Sequence, residues 1–403
     1  MFHIEVSNIR YIQKEKTRRI ARIAVLHNTL NTAGGGERVC LAMIEALLES
    51  GFDVTLLTTE KTDWDRVENA FGLTKFQSER FHENYALPFG VKPRIFGIYQ
   101  RLVAGIYASI AHHNRFDFII NSTGDINPLM CQLTYIHYPL FLLMNDNLSK
   151  YSRNLFWKIY FAPYAFYQKI YYPRYLAKTK IVCNSKFTQE ALKSKFPNYE
   201  DMILYPPIET DRFKNDDMRA KENIVVTCSR FVPEKNLQII PKIASLTPEI
   251  QYHIIGGTNR FSPAVINKIQ REIKNLRCSN VYLHPDASTD ELLAMYKRAK
   301  VYLHTMIAEH FGISIVEAMA AGVVPIVHRS GGAYIDIIDK DKYGFSYQEP
   351  EEAAECIKLI VFNSDTQNRY SQKAVSRAQF FSKQNFKKQF LMYLNSKIHP
   401  TDA

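Results

Sequence analysis

The fold is decided by residues 22–57, which read RIAVLHNTLNTAGGGERVCLAMIEALLESGFDVTLL. A short apolar run at Ile23–Leu26 opens this stretch, and a second one closes it at Val54–Leu57. Between them lie a glycine-rich loop, Gly34–Gly36, and a segment whose apolar residues recur at helical spacing until Gly51. A strand, a tight loop, a helix and a second strand in this order predict two parallel strands joined by a crossover helix.

The same alternation continues along the whole chain. In the first half, further strands are predicted at Phe118–Asn121, Leu133–His137 and Ile181–Cys183. In the second half, short apolar runs predict strands within the ranges 224–228, 252–255, 281–283, 301–304 and 324–327. Short apolar runs that alternate with helices are typical of parallel sheets covered by helices on both faces. We therefore predict the α/β class, with two β/α/β domains.

The boundary between these domains is predicted at Tyr205–Pro206–Pro207, because consecutive prolines interrupt regular elements. This divides the chain into an N-terminal domain at 1–206 and a C-terminal domain at 207–382. A length of 403 residues suits two domains of ordinary size. Residues 383–403 are predicted to form a terminal amphipathic helix with Phe386, Phe390, Leu391 and Leu394 among its apolar residues.

Composition and charge exclude several classes of protein. An apolar share of 46% and a charged share of 23% exclude a chain that is disordered throughout. The net charge of +11 lies mainly in residues 1–200, which carry 25 basic and 17 acidic residues and therefore favour an anionic partner. No two of the six cysteines lie within forty residues of each other, which excludes a zinc knuckle or a CxxC redox pair. We expect buried free thiols in a reducing compartment.

No targeting or membrane-spanning segment is predicted. The first 23 residues carry charges without an apolar centre, unlike a signal peptide. The apolar run around Leu102–Ala111 is far shorter than the roughly 20 residues that cross a bilayer. We therefore expect a cytoplasmic protein, either soluble or peripheral on a membrane.

Residues 151–180 differ from the rest of the chain. The segment holds six basic residues, eleven aromatic residues and no acidic residue. A basic, aromatic amphipathic helix suits an anionic membrane surface. The alternative is a helical hairpin whose aromatic residues pack into the core, with breaks at Pro163 and Pro173. Nucleic acid also binds basic and aromatic side chains, but no nucleic-acid-binding motif accompanies them, so no nucleic-acid partner is expected.

Loops at the carboxyl ends of the predicted strands carry the residues suited to ligand binding, because open parallel sheets bind ligands there. Gly34–Gly36 would let a ligand approach the backbone and the N-terminus of the following helix. Arg230 and Lys235 flank a proline turn, so their two cations can converge on one phosphate cluster. Gly256–Gly257 forms a further turn that permits close approach.

The loop with the sequence EHFGISIVE, at residues 309–317, holds two carboxylates eight residues apart. If a helix begins at Gly312, Glu309 lies in the loop and Glu317 lies on the helix. The two carboxylates then contact different parts of one elongated ligand, rather than forming the acid pair of a hydrolase. Backbone N–H groups of Gly312 and Ile313 would point to an anion between them.

These strings resemble the signature of the retaining glycosyltransferases of family 4, which have the GT-B fold. The most specific string is EHFGISIVEAMAAG at 309–322. The strings AGGGERV at 33–39, YIHYP at 135–139, FVPEKN at 231–236 and SGG at 330–332 accompany it in the order that the family shows. The resemblance covers nearly the whole chain. The motif sequences are most similar to those of family members that transfer mannose from GDP-mannose. The resemblance implies two Rossmann-like domains that face a cleft, with the terminal helix crossing back to the first domain.

The resemblance also implies the roles of individual residues. Arg230 and Lys235 would bind the diphosphate of a nucleotide-sugar donor and stabilise the leaving group. Glu309 would bind hydroxyl groups of the donor sugar, and Glu317 would bind the ribose. Further nucleotide-sugar contacts would come from residues that approach through their backbone, namely Gly35, Gly36, Gly256, Gly257, Phe311, Gly312 and Ile313. His137 matches a histidine that lines the sugar pocket, so we expect it in the catalytic group with Arg230, Lys235 and Glu309.

The implied reaction is transfer of a hexose, in the first place mannose from GDP-mannose, to a lipid-linked or oligosaccharide acceptor at the cytoplasmic face of a membrane. The N-terminal domain would bind the acceptor and the C-terminal domain the donor. UDP-glucose, UDP-galactose and UDP-N-acetylglucosamine are alternative donors that the sequence does not exclude. A sugar-nucleotide epimerase and a non-catalytic relative that binds glycans or membranes are weaker alternatives.

No metal cofactor is implied, because Arg230 and Lys235 would take the role that a metal has in other glycosyltransferases. Asp63–Trp64–Asp65 and Asp339–Lys340–Asp341 match the metal-binding pattern of another fold, but neither lies in the context of that fold, and we interpret both as solvated charges. After the SGG turn, Ala333 and Asp336 stand where the family often has Pro and Glu.

Overall fold

A computed structural model describes residues 20–90, 97–112, 114–124, 131–139, 155–176, 178–197, 199, 201–214 and 221–398. These residues form two parallel sheets in two Rossmann-like domains, which confirms the predicted α/β class. The strands of the first sheet lie within residues 22–203, and those of the second lie within 222–347.

The opening stretch folds as its pattern predicts. Strand β1 (Arg22–Leu26) leads through the glycine-rich loop into helix α1 (Gly35–Glu49), and strand β2 (Asp53–Thr58) follows in parallel with β1. Helix α1 is followed by Gly51, whose φ of +83° is a left-handed conformation that glycine adopts at little cost.

The first sheet continues with β3 (Phe81–Tyr85), β4 (Phe118–Asn121), β5 (Leu133–Ile136), β6 (Lys180–Cys183) and β7 (Asp201–Ile203). Among the described residues, its helices after α1 are α2 (Trp64–Phe71), α3 (Gly97–His112), α4 (Leu155–Leu176) and α5 (Lys186–Lys193). The seven strands stand in the order β3-β2-β1-β4-β5-β6-β7 and are all parallel. The order reverses between β1 and β4, which opens a crevice at their carboxyl ends.

The second sheet consists of β8 (Glu222–Cys228), β9 (Gln251–Gly256), β10 (Val281–Pro285), β11 (Ala299–His304), β12 (Val324–His328) and β13 (Phe345–Tyr347). The helices of this half are α6 (Thr210–Phe213), α7 (Ile240–Ser245), α8 (Ser262–Asn275), α9 (Thr289–Arg298), α10 (Ile313–Ala320), α11 (Pro350–Phe362), α12 (Ser364–Phe380) and α13 (Lys383–Ile398). The six parallel strands stand in the order β10-β9-β8-β11-β12-β13. A second crevice therefore opens between β8 and β11.

Three strands were not expected from the sequence, namely β3, β7 and β13. Each lies at the edge of its sheet and has one neighbouring strand. An edge strand has a neighbouring strand on one side only and is therefore more exposed than a central strand. It accordingly needs fewer apolar residues. The sequences FHENY, DMI and FSY accordingly lack the apolar runs that mark the central strands.

The chain passes between the two sheets at two adjacent points. Ile208 and Ser382 pair as a short parallel bridge, so the outgoing and returning segments lie side by side. Beyond this bridge, α13 packs on the first sheet, where Phe386, Phe390 and Leu394 join the core that includes α1. Lys387, also on α13, forms ion pairs with Glu45 and Glu49 of α1 at 3.2 and 2.6 Å.

Helix α4 covers most of the segment predicted at 151–180; residues 151–154 and 177 of that prediction lie outside the described residues. The helix runs without interruption through Pro163 and Pro173, so the alternative of a helical hairpin broken at these prolines is wrong. Phe161, Tyr164 and Tyr175 are buried, whereas other aromatic residues of the helix are exposed. Within the described parts of the chain, no helix combines the length and apolar character needed to cross a membrane.

The six cysteines are free thiols, as predicted. Cys40, Cys131 and Cys183 are buried, and the expectation of burial is confirmed for these three. The other three, Cys228, Cys278 and Cys356, are half-buried.

Candidate active site

The glycine-rich loop forms part of the cleft between the two sheets. A methyl group on Gly35 would lie 2.8 Å from Cδ1 of Ile313, which belongs to α10 of the second sheet. A methyl group on Gly36 would lie 3.3 Å from Nε2 of His137, which follows β5 of the first sheet. The loop therefore fits between these side chains because its residues have none of their own.

Glu37, in the first turn of α1, holds this loop. Its carboxylate accepts a hydrogen bond from the N–H of Gly34 at 2.7 Å and another from the hydroxyl of Thr32. His27, directly after β1, lies with Nε2 3.6 Å from the same carboxylate. Burial alone would raise the pKa of Glu37, but His27 outweighs this effect and lowers the pKa to about 2.

Ser122 connects His27 to His137. Nδ1 of His27 lies 2.9 Å from the Ser122 hydroxyl, and Nε2 of His137 donates to the Ser122 carbonyl at 3.1 Å. Burial lowers the pKa of His137 to about 4, so its ring is neutral at physiological pH. For His27, burial opposes protonation, but Cys40 and Glu37 outweigh it and raise the pKa to about 10. Two histidines that share one serine therefore carry different charges.

An ion pair between Lys235 and Glu309 lies in the crevice of the second sheet. Lys235 Nζ is 2.5 Å from a Glu309 oxygen, and His304 Nε2 lies 3.2 Å from the same oxygen. Glu309 is only 8% exposed. Burial would raise its pKa, but Lys235 and His304 hold that pKa well below the usual range, so Glu309 is a carboxylate. Arg230, which precedes Lys235 in the chain, is exposed to solvent. No carboxylate among the described residues forms an ion pair with it.

Helix α10 begins after Gly312, so Glu309 lies in the loop and Glu317 lies on the helix, as predicted. Gly312 has a φ of +107°, which only glycine adopts readily. Glu317 is almost fully buried, and its carboxylate pairs with Arg38 of α1 at 2.5 Å. This pair joins the two walls of the cleft, and the sequence offered no sign of it.

Gly256 and Gly257 have different surroundings. A methyl group on Gly256 would lie 1.7 Å from the carbonyl oxygen of Ser229, so the end of β9 packs directly on the loop that carries Arg230. In the described part of the chain, no atom lies within 4 Å of a methyl group placed on Gly257. Packing within the protein therefore requires glycine at the first position and leaves the second facing open space.

The described residues include no group of three or more His, Cys, Asp or Glu side chains arranged to hold a metal ion. Asp63 of the first D-x-D pattern caps α2 instead, because its carboxylate accepts a hydrogen bond from the N–H of Arg66 at 3.1 Å. The second pattern, Asp339–Lys340–Asp341, lies in a turn where all three residues have positive φ.

Two family models match this chain. The model for "Glycosyltransferase Family 4" matches residues 33–212, and the model for "Glycosyl transferases group 1" matches residues 208–377. The two matches meet where the chain passes from the first sheet to the second, and together they include every residue of the cleft named above except His27 and Thr32. The chain belongs to the family 4 glycosyltransferases of the GT-B fold.

Curated relatives of this glycosyltransferase share its sequence over about 300 residues. A GDP-Man:Man(3)GlcNAc(2)-PP-Dol alpha-1,2-mannosyltransferase from Dictyostelium discoideum is 28% identical over 298 residues, which are 66% of this chain and 59% of the relative. The protein of the same name from Homo sapiens is 30% identical over 298 residues, 65% of this chain and 60% of the relative. The chain thus aligns with about three fifths of the length of these relatives.

Solved structures share the fold of this glycosyltransferase. Sucrose-phosphate synthase from Thermosynechococcus elongatus superposes with a TM-score of 0.74 at 18% identity, over 94% of this chain and 100% of that one. Anabaena Alr3699/HepE in complex with UDP-glucose superposes with a TM-score of 0.68 at 16% identity, over 93% and 100% of the two chains. At this level of identity the likeness establishes the fold.

The two domains of the glycosyltransferase also meet beside the cleft. The ring of Tyr138 stacks on that of His310, with centroids 3.9 Å apart and planes 4° from parallel. The Ser185 hydroxyl donates to the His310 carbonyl at 2.8 Å. Asp336 accepts hydrogen bonds from the N–H groups of Lys186 and Phe187, at the N-terminus of α5. Backbone of the Glu309 loop is therefore held by the first domain as well as by its own.

The structure brings the predicted residues together in two groups. His137, Gly35 and Gly36 lie on the first wall, where Gly35 contacts Ile313. Lys235 and Glu309 lie on the second. His27, Ser122 and Arg38 were missed by sequence reasoning. The partners that reveal them are 95 residues away for His27 and 279 residues away for Arg38, so no local pattern marked them.

Proposed function

We propose that this glycosyltransferase transfers a hexose, in the first place mannose from GDP-mannose, to a lipid-linked or glycan acceptor with retention of configuration. The observation that carries the proposal is the buried Lys235–Glu309 pair, beside a loop bearing the exposed Arg230 and opposite a glycine-rich loop. The names of the curated relatives support mannose as the sugar and a dolichol-linked glycan as the acceptor. The motif resemblance supports retention.

The donor diphosphate would bind Arg230 and Lys235. When the bond between the anomeric carbon and the phosphate oxygen breaks, negative charge develops on the departing diphosphate, and two nearby cations favour it. Lys235 is held in place by Glu309, whereas Arg230 has its charge exposed. Arg230 is therefore available to a phosphate without first breaking an ion pair among the described residues.

Glu309 would accept hydrogen bonds from donor-sugar hydroxyl groups. Because its low pKa keeps it ionised, it suits a hydrogen-bond acceptor rather than a proton donor. The neutral ring of His137 would complete the sugar pocket from the other wall, and Glu317, now paired with Arg38, would receive the ribose. The acceptor oxygen would attack from the face that the diphosphate leaves, and a phosphate oxygen would take its proton.

The acceptor would bind in a polar cleft of about 990 Å³ in the first domain. This cleft lies beyond the carboxyl ends of β1, β2 and β3, and Thr32 of the glycine-rich loop lines it. Carboxylates, cations and aromatic rings share its surface, including those of Glu60, Asp65, Arg66, Arg101, Trp64 and Tyr85. Carboxylates accept hydrogen bonds from sugar hydroxyl groups, and aromatic rings pack on the apolar faces of sugars.

An anionic membrane would bind α4 and the adjacent α3. Apolar side chains of α4 are exposed to solvent, namely those of Leu155, Phe156, Ile159, Phe166 and Ile170. Lys158, Lys169 and Arg174 are exposed on the same helix. Val103 and Ile110 extend the apolar surface along α3, which contacts α4 through a hydrogen bond from the Tyr99 hydroxyl to the Tyr160 carbonyl. Such a surface suits a protein that acts on a lipid-linked acceptor.

A nucleotide-binding screen tests the proposal. Purified protein is mixed with GDP-mannose, UDP-glucose, UDP-galactose and UDP-N-acetylglucosamine, with GDP and UDP as controls, and thermal unfolding is followed. A ligand at about 100 times its dissociation constant stabilises a protein by about 2.7 kcal/mol. Selective stabilisation by GDP and GDP-mannose would support mannosyl transfer. Preference for uridine nucleotides would replace mannose as the donor sugar, and no response to any nucleotide would contradict the donor site.

A further inference from the structure

We propose that His27, Glu37 and Ser122 form a positioning device that fixes the glycine-rich loop and His137 relative to each other. The device is defined by these three residues, none of which is assigned a role in the proposed reaction. The inference rests on the proposed function for its effect on nucleotide binding, and its structural part stands without it.

Glu37 is the part of the device that holds the loop. Its two carboxylate oxygens engage Thr32 and the N–H of Gly34, on either side of Ala33, which has a φ of +50°. A non-glycine residue at positive φ is strained unless its surroundings enforce the conformation. The two hydrogen bonds to Glu37 supply that constraint.

His27 is the part that orients Glu37. The Ser122 hydroxyl has one proton, and it donates to the Leu26 carbonyl at 3.1 Å. The same oxygen must then accept from Nδ1 of His27 at 2.9 Å, so Nδ1 carries a proton. Nε2 faces the Glu37 carboxylate at 3.6 Å. Because Cys40 and Glu37 raise the pKa of His27 to about 10, Nε2 carries a proton as well, and His27 is a cation that is 4% exposed and directed at the carboxylate that holds the loop.

Ser122 is the part that couples the loop to His137. Its side chain binds His27, while its backbone carbonyl accepts a hydrogen bond from Nε2 of His137 at 3.1 Å. Ser122 therefore fixes the orientation of the His137 ring directly. Through His27 and Glu37, it also fixes the position of the Gly34 backbone. The two branches converge where Gly36 lies against the His137 ring.

Small displacements of the loop matter because it is tightly enclosed. A methyl group on Gly35 would lie 2.8 Å from Cδ1 of Ile313, which is closer than any ordinary carbon–carbon contact. A shift of the loop would move its N–H groups away from an anion in the cleft and change the contact with α10. A 1 Å misplacement of binding groups can reduce turnover by about 10²-fold.

The structural test measures amide hydrogen exchange in nucleotide-free protein. The variants are His27→Gln, Glu37→Gln and the double variant, and His82→Gln is the matched control because His82 forms an exposed pair with Asp53 at 3.2 Å. We expect exchange at the Gly34 N–H to quicken about 10-fold or more in the first three, because hydrogen bonds to a charged acceptor weaken when its charge is lost or unpaired. Unchanged exchange at Gly34 would overturn the proposal.

The binding test measures the dissociation constant for GDP, and for UDP if the screen selects uridine. Each single variant should bind the nucleotide about 10-fold more weakly than wild type. The double variant should have the same dissociation constant as the single variant that binds more weakly, because His27 acts through Glu37. Fully additive losses would overturn the coupled device. If the wild-type protein binds neither nucleotide, the proposed function fails, while the exchange measurement still decides the device.

A spectroscopic test separates the two branches. In ¹⁵N spectra of labelled histidine, wild-type His27 should be doubly protonated and His137 neutral with its proton on Nε2. Ser122→Ala removes the hydroxyl but keeps the carbonyl, so we expect the Nδ1 resonance of His27 to shift as Nδ1 loses its hydrogen-bond partner, while His137 keeps its tautomer. A neutral His27 in the wild-type protein would contradict the proposal, even if the variants are unstable.

Discussion

At the scale of single residues, neighbouring groups determine which titratable side chains of the cleft are charged. Glu309 stays ionised although it is buried, because Lys235 and His304 lie beside it. His137, whose half-buried ring is hydrogen-bonded to the Ser122 carbonyl, is neutral because desolvation lowers its pKa more than Glu37 raises it. This separation suits a site where a carboxylate binds hydroxyl groups and a neutral ring contacts a sugar.

Glu309→Ala should reduce turnover by about 10²-fold or more while the protein stays folded, since it removes a group that we propose binds the transition state. Initial rates with the preferred donor and far-ultraviolet circular dichroism provide the measurement. Glu351→Ala is the matched control, because Glu351 pairs with Lys242 on an exposed surface. Near-normal turnover in Glu309→Ala would remove Glu309 from the site.

His27 should make stability depend on alkaline pH. Its folded-state pKa of about 10 lies above the ordinary value of 6.5, so the protonated ring stabilises the fold fully below pH 6.5 and this contribution is lost as pH rises through 10. The free energy of unfolding should therefore differ most between wild type and His27→Gln near pH 6 and converge near pH 10. Urea unfolding at about pH 6, 8 and 10 measures this. A difference that is constant over the range would contradict the assignment.

At the scale of elements, α13 belongs by sequence to the end of the chain and by packing to the first domain. Phe390 is fully buried in the core that includes α1, and Lys387 pairs with Glu45 and Glu49 across the same contact. The helix therefore ties the C-terminus to the opening β1–α1–β2 unit.

Phe390→Ala should destabilise the protein by about 3–5 kcal/mol, because it leaves a cavity between α13 and α1. Hydrogen exchange should increase in α1 before it increases in the second sheet. Met392→Ala is the matched control on the same helix, since Met392 is 65% exposed and should leave stability nearly unchanged. Equal effects of the two substitutions would show that α13 does not pack as described.

Helix α4 should bind anionic vesicles through its basic residues. Replacing Lys158, Lys169 and Arg174 with Gln should weaken binding on the order of 10²-fold, at about 1 kcal/mol for each charge near the surface. Co-sedimentation with phosphatidylserine vesicles measures the effect. The matched control replaces the exposed Lys268, Arg271 and Lys274 of α8 with Gln. If both triple variants bind as wild type does, α4 is not a membrane surface.

At the scale of the whole molecule, a few polar contacts hold the two domains together around the cleft. Arg38 of α1 pairs with Glu317 of α10, and Asp336 accepts two backbone N–H groups from the start of α5. Such contacts can be exchanged for contacts with a ligand, whereas an apolar interface would have to separate as a unit.

Asp336→Ala should open the cleft, because two N–H groups at the N-terminus of α5 lose their charged acceptor. We expect a larger radius of gyration in solution scattering and about 10-fold weaker nucleotide binding. Asp290→Ala, at an exposed carboxylate of the second domain, is the control. An unchanged radius of gyration in Asp336→Ala would mean that other contacts suffice to hold the domains.

Much of this architecture was predictable from sequence, because strands, helices and tight turns depend on residues that are close in the chain. The central strands follow from apolar runs, and the left-handed backbone at Gly51 and Gly312 follows from residue type. The position of Glu309 in a loop and of Glu317 on a helix also follows from the local pattern. The loops that hold Gly34–Gly36, Lys235 and Glu309 were predicted because they follow strands, whereas His137 was predicted from the family resemblance.

Only the tertiary structure decided which groups meet and what charge they carry. The pairing of Arg38 with Glu317 spans 279 residues, and that of His27 with Ser122 spans 95. Edge strands such as β3 form because a neighbouring strand offers its hydrogen bonds, and α4 continues through two prolines as one face packs against the rest of the domain. Burial and long-range Coulomb interactions set the protonation of His27 and His137. Local sequence determined the central strands and the helices beside them, whereas packing between distant elements determined the edge strands and the chemistry of the cleft of this glycosyltransferase.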